Sequence, residues 1–414
     1  MFSQQTVENL QNLISESVKD PKRDIPGVSV SITNSKGDDL FQYAAGKESA
    51  DSDEDLTTGS IFWLASASKF VTTIALLQLV DQGKVELDSS DQVSKYVPEL
   101  SNLPIISSEK NKDELNFKPS SQKITLRHLL THTSGLGYTF SRKILQKYGK
   151  VFNINELEAK NERGLLLPLL FEPGTNLVYG VGIDWAGVLL ERITGKSLND
   201  YLIENVFNPL GIEETGLEFD SETRKKFVPL SHRDKKGILS RIDHGNKKLF
   251  EGDYKNAFQA GGSSIFAKPK EYIKILASIL NNGVSPKTGK RILQKETVDS
   301  LFVNQVPQFS NFGKDGIKHA NDYLTKELAQ LYPQGGRPQG WGFSMVINSE
   351  GSETGRGTNT IWWCGVANLF WWIDRENDVA GFLATQITPL VDVNVKTLWV
   401  KIEKEIYSDL QNGK

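Results

Sequence analysis

The stretch Phe62-Trp-Leu-Ala-Ser66-Ala-Ser-Lys69-Phe-Val-Thr-Thr-Ile-Ala-Leu-Leu-Gln-Leu79 is apolar apart from hydroxyl side chains, one amide and one lysine. Its pattern predicts a buried helix over residues 69–81. A Ser-x-x-Lys spacing on a helix puts both side chains on one face, one turn apart. With Ser66 opening that helix, its hydroxyl lies near the positive end of the dipole. A lysine desolvated by apolar neighbours has a depressed pKa and can assist removal of the serine proton. The same spacing occurs at Ser107–Lys110 and Ser120–Lys123, but there in polar sequence. A buried lysine needs a reason, and catalysis is one. The competing reading is a capping serine with a snorkelling lysine, and spacing alone leaves both open.

Working outward, residues 5–20 carry apolar positions at helical spacing. Residues 28–32 alternate with period two, and a turn at Asn34-Ser-Lys-Gly37 leads to a second run over 40–45, a hairpin by pattern and turn chemistry. The strand signal returns at 343–347, 360–364, 370–373 and 379–384, and a helical stretch over 391–407 follows. Both ends of the chain therefore read as one α+β layer, a sheet with terminal helices on it. Between them lie helical runs at 126–131, 183–194, 198–206 and 270–281. A helical middle inside a sheet domain makes a second subdomain, and the cleft between the two is the expected place for a site. Polar stretches at 103–123 and 305–335 read as long loops of the kind that wall or cover pockets.

The 414 residues allow one large or two closely packed domains. Lys+Arg at 48 against Asp+Glu at 51 gives net charge −3, so no global field favours nucleic acid or an anionic membrane. A single cysteine excludes an intramolecular disulfide framework and a Cys-rich metal site. The His128-Leu-Leu-Thr-His132 pair lacks the glutamate of a zincin helix. We therefore expect no metal and no organic cofactor. The first residues show no basic segment followed by an apolar run, and no 18-residue apolar run occurs anywhere. The expectation is a cytoplasmic protein without a membrane span. Complete Gly-x-Ser-x-Gly, Walker A and dinucleotide glycine patterns are missing; Gly180-Val-Gly182 stops short of a third glycine.

A second informative stretch is Phe171-Glu-Pro-Gly-Thr-Asn-Leu-Val-Tyr179-Gly-Val-Gly-Ile-Asp-Trp-Ala-Gly187. A Pro-Gly turn leads to a tyrosine and then to glycines, which allow close backbone approach at a cleft wall. A tyrosine beside a lysine cation loses its proton more easily and can act as a general base; taken alone, Tyr179 reads equally as a packed aromatic.

Together, Ser66-Ala-Ser-Lys69, the Tyr179 segment, Ile124-Thr-Leu-Arg-His-Leu-Leu-Thr-His-Thr-Ser-Gly-Leu136 and Ala260-Gly-Gly-Ser-Ser264 resemble the serine β-lactamase-related superfamily. That group includes class C β-lactamases, penicillin-binding proteins and family VIII carboxylesterases. The likeness runs from about residue 25 to 400. It implies an α+β, β-lactamase/transpeptidase-like fold in a single catalytic domain over 1–414. The sheet subdomain would take about 1–65 and 340–414 and the helical subdomain about 66–339, with the active site in the cleft between them.

By that resemblance Ser66 is the acyl-accepting nucleophile, Lys69 its proton partner, and Tyr179 the base that activates it and later protonates the leaving group. The third family motif is a strand carrying Lys-Thr-Gly. A literal Lys287-Thr-Gly289 follows Pro286 in a polar turn and reads as a decoy. Trp363-Cys-Gly365 is the better match and resembles the Trp-x-Gly variant of esterases in the group. The N–H of Val366 would then complete an oxyanion hole with that of Ser66. Trp363 in place of a cation, and Tyr179-Gly-Val181 in place of Tyr-x-Asn, both favour neutral esters over lactams. Within the superfamily the chain is similar to the fungal lovastatin-type side-chain acyltransferases and their esterase relatives. That likeness places Tyr138 and Trp363 on opposite sides of an acyl pocket, with Gly365 and Trp341 as further substrate-binding candidates. His132 is expected to hold its loop by hydrogen bonds, and Cys364 to be a small strand residue.

The function so implied is a serine carboxylesterase or acyltransferase that forms an acyl-enzyme on Ser66 and passes the acyl group to water or an alcohol. Its partner would be a small-molecule ester or acyl donor, with no nucleic acid and no membrane. The alternatives are a β-lactamase or D-amino-acid peptidase, and a non-catalytic binding module that keeps the fold.

Overall fold

Seven strands form one antiparallel sheet in the computed structural model, which describes residues 1–107, 115–245, 247–309 and 337–412. The strands are β1 (Gly27–Thr33), β2 (Asp39–Gly46), β3 (Gln339–Trp341), β4 (Val346–Asn348), β5 (Thr360–Gly365), β6 (Leu369–Asp374) and β7 (Val379–Ala384). Their spatial order is β2-β1-β7-β6-β5-β4-β3. The first hairpin thus joins the C-terminal strands through β1 and β7, where Val30 pairs with Leu383. The two ends of the chain close one sheet, as the sequence pattern predicted.

Helices cover both faces, among them α1 (Gln4–Glu16), α2 (Ser68–Asp81), α5 (Pro269–Leu280) and α6 (Val393–Asn412). Helix α3 (Leu126–Leu130) packs on α4 (Gly182–Thr194), which in turn packs on α2. Alternation along β6 decides which face each residue serves. Phe370 stacks on Trp399 of α6 at 4.1 Å, whereas Trp371 stacks on Phe70 of α2 at 4.4 Å. Tyr272 of α5 packs on Phe382, the cross-strand neighbour of Trp371. Gly381 lies opposite Trp372, and a Cβ there would come within 2.2 Å of the indole. This glycine is required because the large ring occupies the space over it.

Three expectations change in detail. The run 343–347 is not one strand: Gly342 N–H bonds Met345 O, Ser344 has φ +65°, and pairing resumes at Val346 opposite Trp341. Tertiary bonds cause this turn, because Ser344 Oγ meets His132 Nε2 at 3.0 Å and Leu130 O at 3.2 Å. The helix expected over 198–206 ends at Leu202 and continues as a wider turn over Ile203–Phe207. Helix α5, placed by its sequence position in the helical subdomain, packs instead on β1 and β7. The proposed limits at 66 and 339 therefore do not follow the packing at this helix. Most of the 305–335 loop and residues 108–114 of the 103–123 loop lie outside the described residues.

Candidate active site

Ser66 stands where the chain leaves a short strand, Phe62–Trp63, and enters α2 through a 3₁₀ turn over Ala65–Ala67. Ala65, directly before it, has φ +46°, a left-handed conformation that costs energy without a glycine and persists only where neighbours enforce it. Strand β5 is one such neighbour. A Cβ on Gly365 would come within 2.4 Å of Leu64 O, so glycine lets the strand end press against the Ser66 turn. Val366 follows at the turn between β5 and β6 and shares a cavity wall with Ser66.

Helix α2 is buried along almost its whole length, which encloses Lys69 completely. Its Nζ donates to Ser66 Oγ at 3.2 Å, Tyr138 OH at 3.0 Å and Gly262 O at 2.9 Å. Burial lowers its pKa to about 8, with the Asp184 charge pulling the other way. A snorkelling lysine is excluded by this burial. The aromatic ring of Tyr179 lies 4.8 Å from the same nitrogen. Tyr179 OH accepts from Trp363 Nε1 at 3.1 Å. Burial pushes its phenol up, while bonds to Ser66 and Trp363 pull it down.

The backbone around Tyr179 is fixed by His132. Gly180 N–H donates to His132 Nδ1 at 3.4 Å, and the other ring nitrogen meets Ser344 Oγ. Burial and the Lys69 charge hold this imidazole well below its ordinary pKa, so it is neutral. Hydrogen-bonded anchoring is thus what the structure shows for His132. Gly180 passes so close to Leu136 O that a Cβ would sit 2.0 Å from it.

A cavity of about 1090 Å³, open mouth included, leads to Ser66. Trp63, Tyr138, Phe140, Leu165, Phe258 and Val366 are among the residues that line it. The expected substrate contacts divide here. Tyr138 lies in the wall; Trp363, Gly365 and Trp341 do not. Trp341 is fully buried, its ring 5.0 Å from Trp363 and 6.5 Å from Tyr179. The two indoles back and hold the tyrosine instead of facing the cavity. The Lys287-Thr-Gly289 turn borders a different hollow with Thr33, Gly37 and Asp39. Cys364 is buried, and burial raises its thiol, so it stays protonated and inert.

Asp184 and Gly262 fall inside stretches that carry the family resemblance, but neither was read from the sequence as part of the site. Asp184, in the first turn of α4, is buried in the cavity wall and accepts from Gly262 N–H at 2.8 Å. Gly262 supplies its carbonyl to Lys69, and Gly261 O accepts from Thr72 Oγ1 at 2.6 Å. A signal existed: one acid inside the apolar run Gly182-Ile-Asp-Trp-Ala186, and paired glycines at 261–262. Among the described residues no group of three or more His, Cys, Asp or Glu is placed to hold a metal. No described helix is long and apolar enough to cross a membrane.

An antiparallel sheet backed by helices, with a buried Ser-x-x-Lys pair and a facing tyrosine at one cleft, defines a serine acyl-transfer class of site. The chain belongs to the Beta-lactamase family, whose model matches residues 5–402. Among its curated relatives is the acyltransferase calJ of Penicillium decumbens, 31% identical over 91% of this chain and 87% of that protein. Lovastatin esterase of Penicillium rubens is 30% identical over 89% of this chain and 90% of its own length. Among solved structures, a simvastatin synthase mutant from Aspergillus terreus matches with TM-score 0.83 and 28% identity, covering 99% of this chain and 98% of that one. The chain is thus an enzyme of the acyltransferase and esterase kind.

Proposed function

We propose that this protein is a serine acyltransferase or esterase that forms an acyl-enzyme on Ser66 from a small or medium neutral ester or acyl donor. The observation that carries this reading is the fully buried Lys69 amine 3.2 Å from the Oγ of Ser66, which itself lines a mostly apolar cavity. A neutral amine takes the serine proton as Oγ attacks the acyl carbon. The N–H groups of Ser66 and Val366 receive the charge that develops on the carbonyl oxygen. Tyr179 was expected from the resemblance to be the activating base. Its phenol is held up by burial, so it keeps its proton at rest and suits donation to the leaving oxygen. Lys69, at about 8, is the better acceptor. The proton now on Lys69 passes to the Tyr179 phenolate, which restores both groups, and the second half-reaction runs the same steps backward with water or an alcohol.

The cavity supports the substrate class. Its apolar side chains include Leu157, Leu230 and Ile242, and the acids Glu156, Asp184 and Asp243 also line it. Apolar acyl chains fit such walls, and acyl groups carrying a carboxylate are repelled. By resemblance to relatives named for lovastatin and monacolin J acid, the alcohol side can be of the monacolin J acid kind. The test is stopped-flow hydrolysis of p-nitrophenyl butyrate with intact-mass analysis. We expect a burst and a butyryl adduct on Ser66. Full turnover by Ser66→Ala, or nitrocefin turnover exceeding ester turnover, would overturn the reading.

A further inference from the structure

A neutral primary amine has two hydrogens and one lone pair. To act as a base toward Ser66, the Lys69 amine must place both hydrogens elsewhere. The structure offers two acceptors for them, Tyr138 OH at 3.0 Å and Gly262 O at 2.9 Å. Tyr138 OH can accept only in the direction left open by its own hydrogen. Burial holds that proton on the phenol, and the Asp184 carboxylate acts on it in the same direction. The second oxygen-bearing group, Gly262, is fixed by the same carboxylate, because its N–H donates to Asp184 Oδ1 at 2.8 Å.

We propose that Asp184 is the positioning residue of this site: by binding Tyr138 O–H and Gly262 N–H it aims both acceptors at Lys69 and turns the amine lone pair toward Ser66. The inference rests on Lys69 as the base that accepts the Ser66 proton. The local sequence accommodates the carboxylate on every side. Asp184 sits in the first turn of α4, where backbone N–H groups favour an anion. A Cβ on Gly262 would lie 2.7 Å from Asp184 Oδ1, so only glycine lets the backbone reach the acid. On Gly261 a Cβ would lie 3.0 Å from Thr72 Cγ2 and from Ile183 O. The paired glycines thus belong to Asp184 and to the helix that carries Lys69.

Charge has a separate consequence. Lys69, Glu156, Tyr138 and Tyr179 face Asp184, while His132 and Cys364 also face Lys69. The Asp184 charge raises the Lys69 pKa. Neutralising it therefore moves the base limb of the rate profile to lower pH, while loss of orientation lowers the plateau. A simple packing defect moves neither limb.

Asp184→Asn tests this in the full-length protein, read by burst rate on p-nitrophenyl butyrate from pH 6 to 10. An asparagine NH2 donates to Tyr138 OH and forces that hydroxyl to donate toward Lys69, competing for the lone pair. We expect a folded protein with KM unchanged, a plateau rate lowered by roughly 10- to 100-fold, and a midpoint at lower pH. Tyr138→Phe should cost a similar factor. The double variant should be no worse than the weaker single variant, as for two parts of one network. An unchanged plateau and midpoint in Asp184→Asn, or losses that multiply in the double variant, would overturn the proposal with the acyl-enzyme on Ser66 intact. If Asp184→Asn does not fold, an unchanged burst rate in Tyr138→Phe overturns it instead. A wild-type protein that forms no Ser66 adduct overturns both this inference and the function it rests on.

Discussion

Among the described residues, the two lysine or arginine side chains that lie wholly inside the protein, Lys69 and Arg356, are treated in opposite ways. Arg356 meets the Glu403 carboxylate directly on α6, with Nε at 3.2 Å from Oε2 and NH2 on Oε1. Trp362, Trp372 and Trp399 surround its guanidinium at 5.2–5.6 Å from their ring centres. Lys69 has no carboxylate in contact. Its partners are a hydroxyl, a phenol and a carbonyl, and the Asp184 carboxylate acts on it through its charge alone. A direct ion pair fixes the charge of Arg356 and ties β5, β6 and α6 together. A lysine left with neutral partners pays its desolvation in a lowered pKa and is left ready to lose a proton. One face of the sheet uses a buried charge to hold structure, and the other holds a charge that can leave.

The comparison can be broken most severely at the nucleophile. Ser66→Ala should reduce ester turnover by at least roughly 10⁴-fold and abolish the mass adduct, with the melting curve little changed. Lys69→Met should lower the burst rate by roughly 10³-fold, yet it removes a charge that burial disfavours and should melt no lower than the wild type. Arg356→Met should do the reverse. It strands Glu403 and costs about 3–5 kcal/mol in urea unfolding, while the burst rate per folded molecule stays at the wild-type value.

Titration sharpens the contrast further. Only unprotonated Lys69 serves as base, so the burst rate should rise with pH and level off above about 8. Its folded pKa lies below the ordinary 10.5, so the folded state gives up this proton first and the penalty of burial fades as pH climbs from 8 toward 10.5. The stability advantage of Lys69→Met should therefore shrink across that window; Arg356→Met should show no such change. The smallest effect is expected at Trp363→Phe. Losing the 3.1 Å donor to Tyr179 OH should slow the burst about tenfold with KM unchanged, whereas a substrate-wall role would raise KM.

Much of the site was legible along the chain because its parts are local. Ser66 and Lys69 are one turn apart on one helix, so spacing and apolar context sufficed. The Gly180 position was readable as a close approach, since a missing side chain is visible in sequence even when its neighbour is not. Gly365, by contrast, was read as a substrate contact and proves to be a close approach to Leu64 O. Trp341 and Trp363 were misplaced for the opposite reason. An indole beside a strand fits a cavity wall or a packed backing equally well, and only the position of Tyr179 separates the two. Asp184 is not legible as part of the site because Gly262, whose N–H it binds, lies 78 positions away in the chain. The run 343–347 broke into a turn through bonds from Ser344 to His132 and Leu130, which no local propensity encodes.

By itself the sequence determined the α+β layering, the sheet and helix periods, the Ser66–Lys69 pair and the family to which they belong, because period and short spacing are set by neighbours in the chain. The tertiary structure alone decided that Lys69 is sealed from water and which groups receive its hydrogens. It also decided that Tyr179 keeps its proton. Those properties depend on desolvation and on the direction of hydrogen bonds, and both arise only when segments from residues 66, 138, 184 and 262 meet in one dry place.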